Sequence, residues 1–193
     1  QGLALLVDAD MLRSRNRRKA FMITERKITP DFADFEKFQT LYQTAFPEEE
    51  RMPLADLMRD DGAMQLIACC EDDDFCGFYA TLTLKDITHV LFFAVAEQLR
   101  DRGYGSQVLG LIAKRFPKNR IIADIEAEDP AAENNAQRIR RKAFYQRNGY
   151  TESEVAYVWR GVPYQILVKN GTITEAEFEN FWKNFHNARK RTI

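Results

Sequence analysis

Leu91-Phe92-Phe93-Ala94-Val95-Ala96-Glu97-Gln98-Leu99-Arg100-Asp101-Arg102-Gly103-Tyr104-Gly105-Ser106 decides how the chain folds. The stretch begins as an apolar, aromatic-rich run, which reads as a buried strand ending at a charged turn. Two glycines then open an amphipathic helix with Val108, Leu111, Ile112 and Phe116 on one face. A strand that feeds a glycine-bearing turn at a helix N-terminus presents bare backbone N–H groups and the positive end of a helix dipole. That combination suits a phosphate or pyrophosphate. Arg100 and Arg102 add positive charge at the same point.

Spacing narrows the choice of anion. A dinucleotide fingerprint needs Gly-x-Gly-x-x-Gly with an acidic residue some way downstream, and a Walker loop needs Gly-Lys-Ser/Thr. Neither occurs here; what stands is Val95 followed by Arg100-x-x-Gly103-x-Gly105. Alone, those two glycines also suit a plain tight turn. Downstream comes a second element, Asn134-Asn135-Ala136-Gln137-Arg138-Ile139-Arg140-Arg141-Lys142-Ala143-Phe144-Tyr145-Gln146-Arg147-Asn148-Gly149-Tyr150. Asn148-Gly149 is a strong helix stop, because both residues tolerate the left-handed conformation. At helical spacing Ala136, Ile139 and Ala143 share a face, and Tyr145 projects from roughly the opposite one with Arg138 and Arg141 near it. A tyrosine off the apolar stripe reads as a working phenol rather than a packed one.

The two elements resemble the two signatures of the GNAT superfamily of N-acetyltransferases. The first is an Arg-x-x-Gly-x-Gly acyl-CoA-binding turn; the second is a helix ending in Phe-Tyr, a few polar residues, Gly and an aromatic. Order and distance agree, over the central half of the chain. The resemblance implies an α/β chain with the GNAT (acyl-CoA N-acyltransferase) fold, a mixed central β-sheet flanked by helices. It also implies acetyl-CoA as co-substrate, with its pyrophosphate on the amides of Arg102, Gly103, Tyr104, Gly105 and Ser106, and its pantetheine beside the strand ending at Val95. Arg100 belongs to the same turn, and Asn135 and Arg138 are weaker cofactor contacts. Backbone near Ala94 and Val95 is the implied donor to the thioester carbonyl, and Tyr145 the acid that protonates the leaving sulfur.

Composition agrees with one ordinary domain. The chain has 193 residues, 45% of them hydrophobic and 30% charged, enough for a real core and neither disordered nor membrane-embedded. A net charge of −1 calls for neither nucleic acid nor an anionic membrane. Cys69, Cys70 and Cys76 read as buried, reduced thiols of a cytoplasmic protein. His89 and His186 are far apart in sequence, so no metal is expected; His89 precedes the cofactor strand and could line the cleft, but the preferred reading is a satisfied histidine at a strand edge. Residues 1–21 read as an N-terminal extension with a basic run from Arg13 to Lys19, and the domain as 22–193. A homodimer is common in the family, but nothing in the sequence locates an interface.

The expected elements are a strand at Met22 to Ile28, a helix from Pro30 to Phe46, a charged connector Glu48 to Pro53, and a short helix through Leu54 and Leu57. A hairpin over Met64 to Glu71 and Phe75 to Leu84 follows, then the His89 to Val95 strand and the Gly105 to Phe116 helix. Next come an apolar strand Ile121 to Ile125, the Tyr145 helix, and a closing pair at Val155 to Trp159 and Gln165 to Val168. A last helix opens on a capping box, Thr174 with Glu177. An alkyl ammonium with a pKa near ~10 must lose a proton before it attacks, so the reaction needs a base. Glu126 at the end of the second buried strand is the first expectation, with Glu97 and Glu49 behind it. Acidic groups at Glu48 to Glu50 and at Glu126, Glu128, Asp129 and Glu133 favour a small cationic amine as acceptor. A protein or peptide N-acetyltransferase and a non-catalytic acyl-CoA-binding regulatory module are the alternatives.

Overall fold

The structure, a computed structural model, describes residues 22–59 and 61–190. The expected extension 1–21 lies outside the described residues. The elements are β1 (Ile23–Lys27), α1 (Phe35–Ala45), a 3-10 turn (Glu48–Glu50), α2 (Leu54–Leu57), β2 (Met64–Glu71), β3 (Asp74–Leu84) and β4 (Ile87–Val95). A 3-10 turn (Glu97–Leu99) leads to α3 (Tyr104–Arg115), followed by β5 (Arg120–Glu126), α4 (Asn135–Arg147), β6 (Thr151–Trp159), β7 (Val162–Lys169) and α5 (Glu175–Lys190). This is the order expected from the sequence. The helix expected from Pro30 begins only at Phe35, because two successive turns, Phe32 N–H to Thr29 O and Phe35 N–H to Phe32 O, occupy the start. The capping box forms as expected: Glu177 N–H donates to Thr174 Oγ1 at 3.3 Å, and Thr174 N–H to the Glu177 carboxylate at 2.9 Å.

The described residues form a seven-stranded sheet in the order β1-β2-β3-β4-β5-β7-β6. Every neighbouring pair is antiparallel except β4 and β5, which the α3 crossover makes parallel. Alternation along the strands feeds two cores. One face packs Leu66, Phe78, Phe92 and Ile166 under Phe38 and Tyr42 of α1, Leu57 of α2, and Phe178 and Phe181 of α5. The other packs Tyr79, Val90, Ile121 and Ala123 under Val108 and Ile112 of α3 and Tyr145 of α4. The result is a sheet covered by helices on both faces. Among the described residues no helix is long and apolar enough to cross a membrane.

Two irregularities position the site. The register of β3 on β4 slips between Ala80↔Phe92 and Thr81↔Val90, so Leu91 is an extra residue on β4. Pairing of β4 with β5 runs from Ile87↔Arg120 to Val90↔Ala123 and stops there. Beyond that point β4 continues on β3 to Val95, and β5 continues on β7 to Glu126. The two strands therefore part, and Leu91–Val95 face Asp124–Glu126 across an opening in the middle of the sheet.

The Tyr145 helix is a correction. Ile139, expected inside, is 45% exposed and Ala136 is exposed as well, whereas Arg138 and Tyr145 are buried. The inward face of α4 joins Phe144 and Tyr145, which pack on the second core, to Arg138 and Arg141, which pair with Glu126, so the expected Ala136–Ile139–Ala143 stripe is not the docking face. His89 is a second correction: it lies inside β4 rather than at the strand's edge and is 1% exposed, with Nδ1 unpartnered among the described residues, and it does line the cleft.

Candidate active site

The parting of β4 from β5 opens a cavity of about 1260 Å³ lined from both faces of the sheet, more than the ~300–1,000 Å³ of a single small-ligand site. Leu91, Phe92, Phe93, Ala94 and Val95 all border it, so backbone on the unpaired side of β4 looks into the cleft. Past Val95 the chain makes a 3-10 turn, and Arg100 borders the cleft. Asp101 and Gly103 both take positive φ, 60° and 92°. At Gly103 glycine answers the backbone conformation, since an added Cβ would meet no protein atom.

The first hydrogen bond of α3 runs from Gln107 N–H to Gly103 O at 3.2 Å. The amides of Gly105 and Ser106 thus sit in the opening turn, where a helix has no acceptor for them. Gly105 is required for space: a Cβ there would lie 3.0 Å from Phe144 Cζ of α4 and 3.4 Å from Phe93. Arg102 and Ser106 are exposed, while the Tyr104 ring turns into the core and its hydroxyl donates to Glu71. The structure thus brings Ala94, Val95 and Arg100 to the cleft, while the 102–106 turn follows Arg100 in the chain without lining it.

Asn135 and Arg138 are not brought to the cleft. Asn135 Oδ1 accepts the Asp129 N–H at 2.8 Å, which ties the loop before α4. Arg138 is spent on Glu126 (3.0 Å), Asn134 Oδ1 (2.8 Å) and Ala127 O (2.9 Å). Their neighbours Asn134, Gln137 and Arg141 border the cleft instead. The hydrophobic pattern of α4 misleads here because its docking face carries Arg138 and Arg141, paired with Glu126, beside the aromatic Phe144 and Tyr145.

Tyr145 borders the cleft, 8% exposed, and its hydroxyl has no hydrogen-bond partner among the described residues. Burial pushes its phenol well above the ordinary tyrosine range, only partly offset by Arg141, so the group keeps its proton.

On the opposite face, Glu50, Asp124 and Glu126 border the cleft, joined by Glu175 and Glu179 of α5. Glu126 is reached by Arg138 at 3.0 Å and by Arg141 at 3.2 Å, so each of its oxygens already meets a guanidinium. Glu50, the inner member of the acidic connector, accepts a hydrogen bond from the Tyr164 hydroxyl at 3.1 Å and has no ion pair among the described residues. Burial, helped by the nearby Glu126, raises its carboxyl above the ordinary range despite Tyr164 and Arg141. Glu49, a reserve expectation, is exposed, as is Glu97.

Asp124 went unnoticed within the apolar run Ile121 to Ile125. A lone carboxylate in the middle of a buried strand was the available signal. It takes a hydrogen bond from His89 Nε2 at 2.9 Å and one from the Tyr157 hydroxyl at 2.5 Å. Burial would raise it, but His89 and Tyr157 outweigh burial and hold the carboxyl below the ordinary range. Tyr157 is itself stacked between Tyr164 (5.4 Å) and Phe178 of α5 (5.6 Å). Among the described residues no group of three or more His, Cys, Asp or Glu side chains could hold a metal ion.

No curated protein matches the chain in sequence. Solved structures do. A GNAT-family chain from Bacteroides thetaiotaomicron is 26% identical, with a TM-score of 0.69, over 84% of this chain and 96% of that one. An aminoglycoside 6′-N-acetyltransferase complexed with coenzyme A shares the fold at 12% identity and a TM-score of 0.58, over 76% and 96%. So does a chimera of the Vibrio cholerae spermidine N-acetyltransferase, at 13% identity and 0.56, over 76% and 94%. Residues 35–150, which hold β2 to β5, the glycine turn and the Tyr145 helix, match the acetyltransferase (GNAT) family across more than half of the chain. The parted strands, the turn that follows β4 and the sequence match agree, and the chain belongs to the GNAT family of acetyltransferases.

Proposed function

We propose that the protein transfers the acetyl group of acetyl-CoA to the primary amine of a small cationic acceptor, by direct attack while both substrates are bound. The parting of β4 from β5 carries this reading. It joins in one cleft an open strand edge, with Arg100 of the turn that follows it, and a carboxylate-rich pocket. The aminoglycoside and spermidine enzymes that share the fold act on cationic amines by their names, which supports the same acceptor class here. The connector residues Phe46, Glu50 and Met52 and the α5 residues Phe178 and Trp182 all wall the acceptor side, which favours a compact amine over a peptide. The buried free thiols of Cys69, Cys70 and Cys76 suit the reducing cytoplasm. We assign the activity to one domain, 22–193.

When bound, acetyl-CoA supplies the activated acetyl group. The amides of Arg102, Gly103, Tyr104, Gly105 and Ser106 receive the pyrophosphate beside Arg100, and backbone N–H near Ala94 and Val95 polarises the carbonyl. Tyr145 gives its proton to the departing sulfur. For the proton lost by the amine, Glu50 takes the role that the sequence suggests for Glu126. A carboxylate without a cationic partner has its lone pairs available, whereas those of Glu126 are engaged by Arg138 and Arg141. Glu126 instead fixes α4, and with it Tyr145, against β5.

The test is titration of acetyl-CoA by calorimetry, followed by thiol release with a panel of primary amines. Saturable binding and amine-dependent release are expected, with Tyr145→Phe lowering kcat about 10²-fold, the low end for a positioned acid. Failure of the folded wild type to bind acetyl-CoA overturns the reading, and an unchanged kcat in Tyr145→Phe removes that residue from the chemistry.

A further inference from the structure

Asp124 is the first residue of β5 beyond the last β4 pairing, so it stands at the point where the strands part. Its side chain is 24% exposed and borders the cleft. Behind it the arrangement is closed. His89 Nε2 meets one oxygen and the Tyr157 hydroxyl the other. Phe178, Phe181 and Trp182 of α5 surround the His89 ring at centroid distances of 6.2, 5.9 and 5.4 Å. An ionised carboxylate cannot donate, so the shared hydrogen lies on Nε2. His89 Nδ1 is then left buried, with no partner among the described residues, on a ring that itself borders the cleft. A buried polar atom without a partner costs stability. Here it belongs to a ring whose other nitrogen orients a cleft carboxylate.

We propose that Asp124, positioned by His89 and Tyr157, is the ammonium-binding subsite of the acceptor pocket, and that its ligand is a primary ammonium on an apolar, aryl-bearing arm. The proposal rests on the acetyltransferase reading and sharpens it by separating two tasks. Asp124 holds the incoming cation beside the open β4 edge, and Glu50 removes its proton. The arm follows from the walls. Phe92, Tyr157, Phe178 and Trp182 belong to the same core face and border the cleft, giving it an aromatic wall against which an apolar body can pack. Such rings also favour a nearby cation. A polyhydroxylated amine would leave hydroxyls against those rings without partners.

The experiment uses phenethylamine and its neutral analogue 2-phenylethanol as probes, titrated into the full chain loaded with coenzyme A. Calorimetry gives affinity, and the ¹⁵N resonances of the imidazoles give the location. The chain has two histidines, so His89 is readily assigned. Phenethylamine is expected to bind at least about tenfold more tightly than the alcohol, the scale of one charge-assisted hydrogen bond. It should also shift the His89 resonances, while the alcohol leaves them in place. Asp124→Asn keeps the shape and removes the charge, and should bring the two affinities within about twofold of each other, with acetyl-CoA affinity unchanged. Equal binding of amine and alcohol by the wild type, or unmoved His89 resonances on amine saturation, overturns the proposal even if Asp124→Asn does not fold. Tighter binding of spermidine or kanamycin than of phenethylamine overturns the aryl arm. Loss of acetyl-CoA binding by the wild type would instead strike the acetyltransferase reading.

Discussion

Glu50 and Asp124 are carboxylates in one cleft with opposite environments. Burial raises the first, while His89 and Tyr157 hold the second down. Groups whose proton affinities are pushed apart in this way divide the work of acid–base chemistry. The sign for activity follows. A raised carboxyl keeps its proton at a pH where an ordinary glutamate has lost it. With both substrates saturating, kcat should therefore fall on acidification through a limb lying above the usual carboxylate range. Asp124 stays ionised across that window and adds no limb there. Tyr145 adds no alkaline loss below the ordinary tyrosine range, since burial raises its phenol. Glu50→Gln should lower kcat by about 10²–10⁴ and remove the acid limb. If the limb survives in that variant, Glu50 is not the proton acceptor, and Glu126→Gln becomes the next profile to record.

At the scale of elements, β3 and β4 meet closely beside the cleft. A Cβ on Gly77 would lie 2.3 Å from Ala94 O and 3.0 Å from Val95 Cα, so Gly77→Ala must push the cofactor strand away. We expect a loss of about 1–3 kcal/mol, the range for overpacking. A higher KM for acetyl-CoA should accompany it, because the displaced residues carry the donors assigned to its carbonyl. Thermal melting and steady-state kinetics check both; a normal KM in a destabilised protein would detach Ala94 and Val95 from cofactor binding. The elements themselves were largely legible. The 91–106 stretch, the Asn148-Gly149 stop and the Thr174–Glu177 box each act locally, through turn chemistry and capping. The facing of α4 was not legible, because its partner is Glu126 on another strand and ion pairing across elements has no period along a helix. Asp124 was hidden for a similar reason. A strand buried on both faces reads as one apolar run, and the partners that make a charge tolerable there, His89 and Tyr157, lie on β4 and β6.

Across the whole molecule, the sheet is two halves joined weakly in the middle. Strands β1 to β4 and β5 to β7 share only the register from Ile87↔Arg120 to Val90↔Ala123, and the helices bridge the rest. A ligand lying along Leu91–Val95 with its pyrophosphate on the α3 turn would occupy backbone groups that no strand reaches, and so act as a missing partner of β4. Binding to the folded state alone should then stabilise the whole chain by mass action, by about 2.7 kcal/mol at a hundredfold excess over Kd. The gain should also be located. Amide exchange is expected to slow most at Leu91–Val95 and at Gly105 and Ser106, and to change little at Ile87–Val90, whose strand pairing is complete before binding. Hydrogen exchange measured with and without acetyl-CoA distinguishes this from general tightening. Uniform slowing across both halves would mean that the parted strands are not the cofactor seat. Slowing confined to the open edge and the turn would tie the ligand to the gap left where β4 and β5 stop pairing.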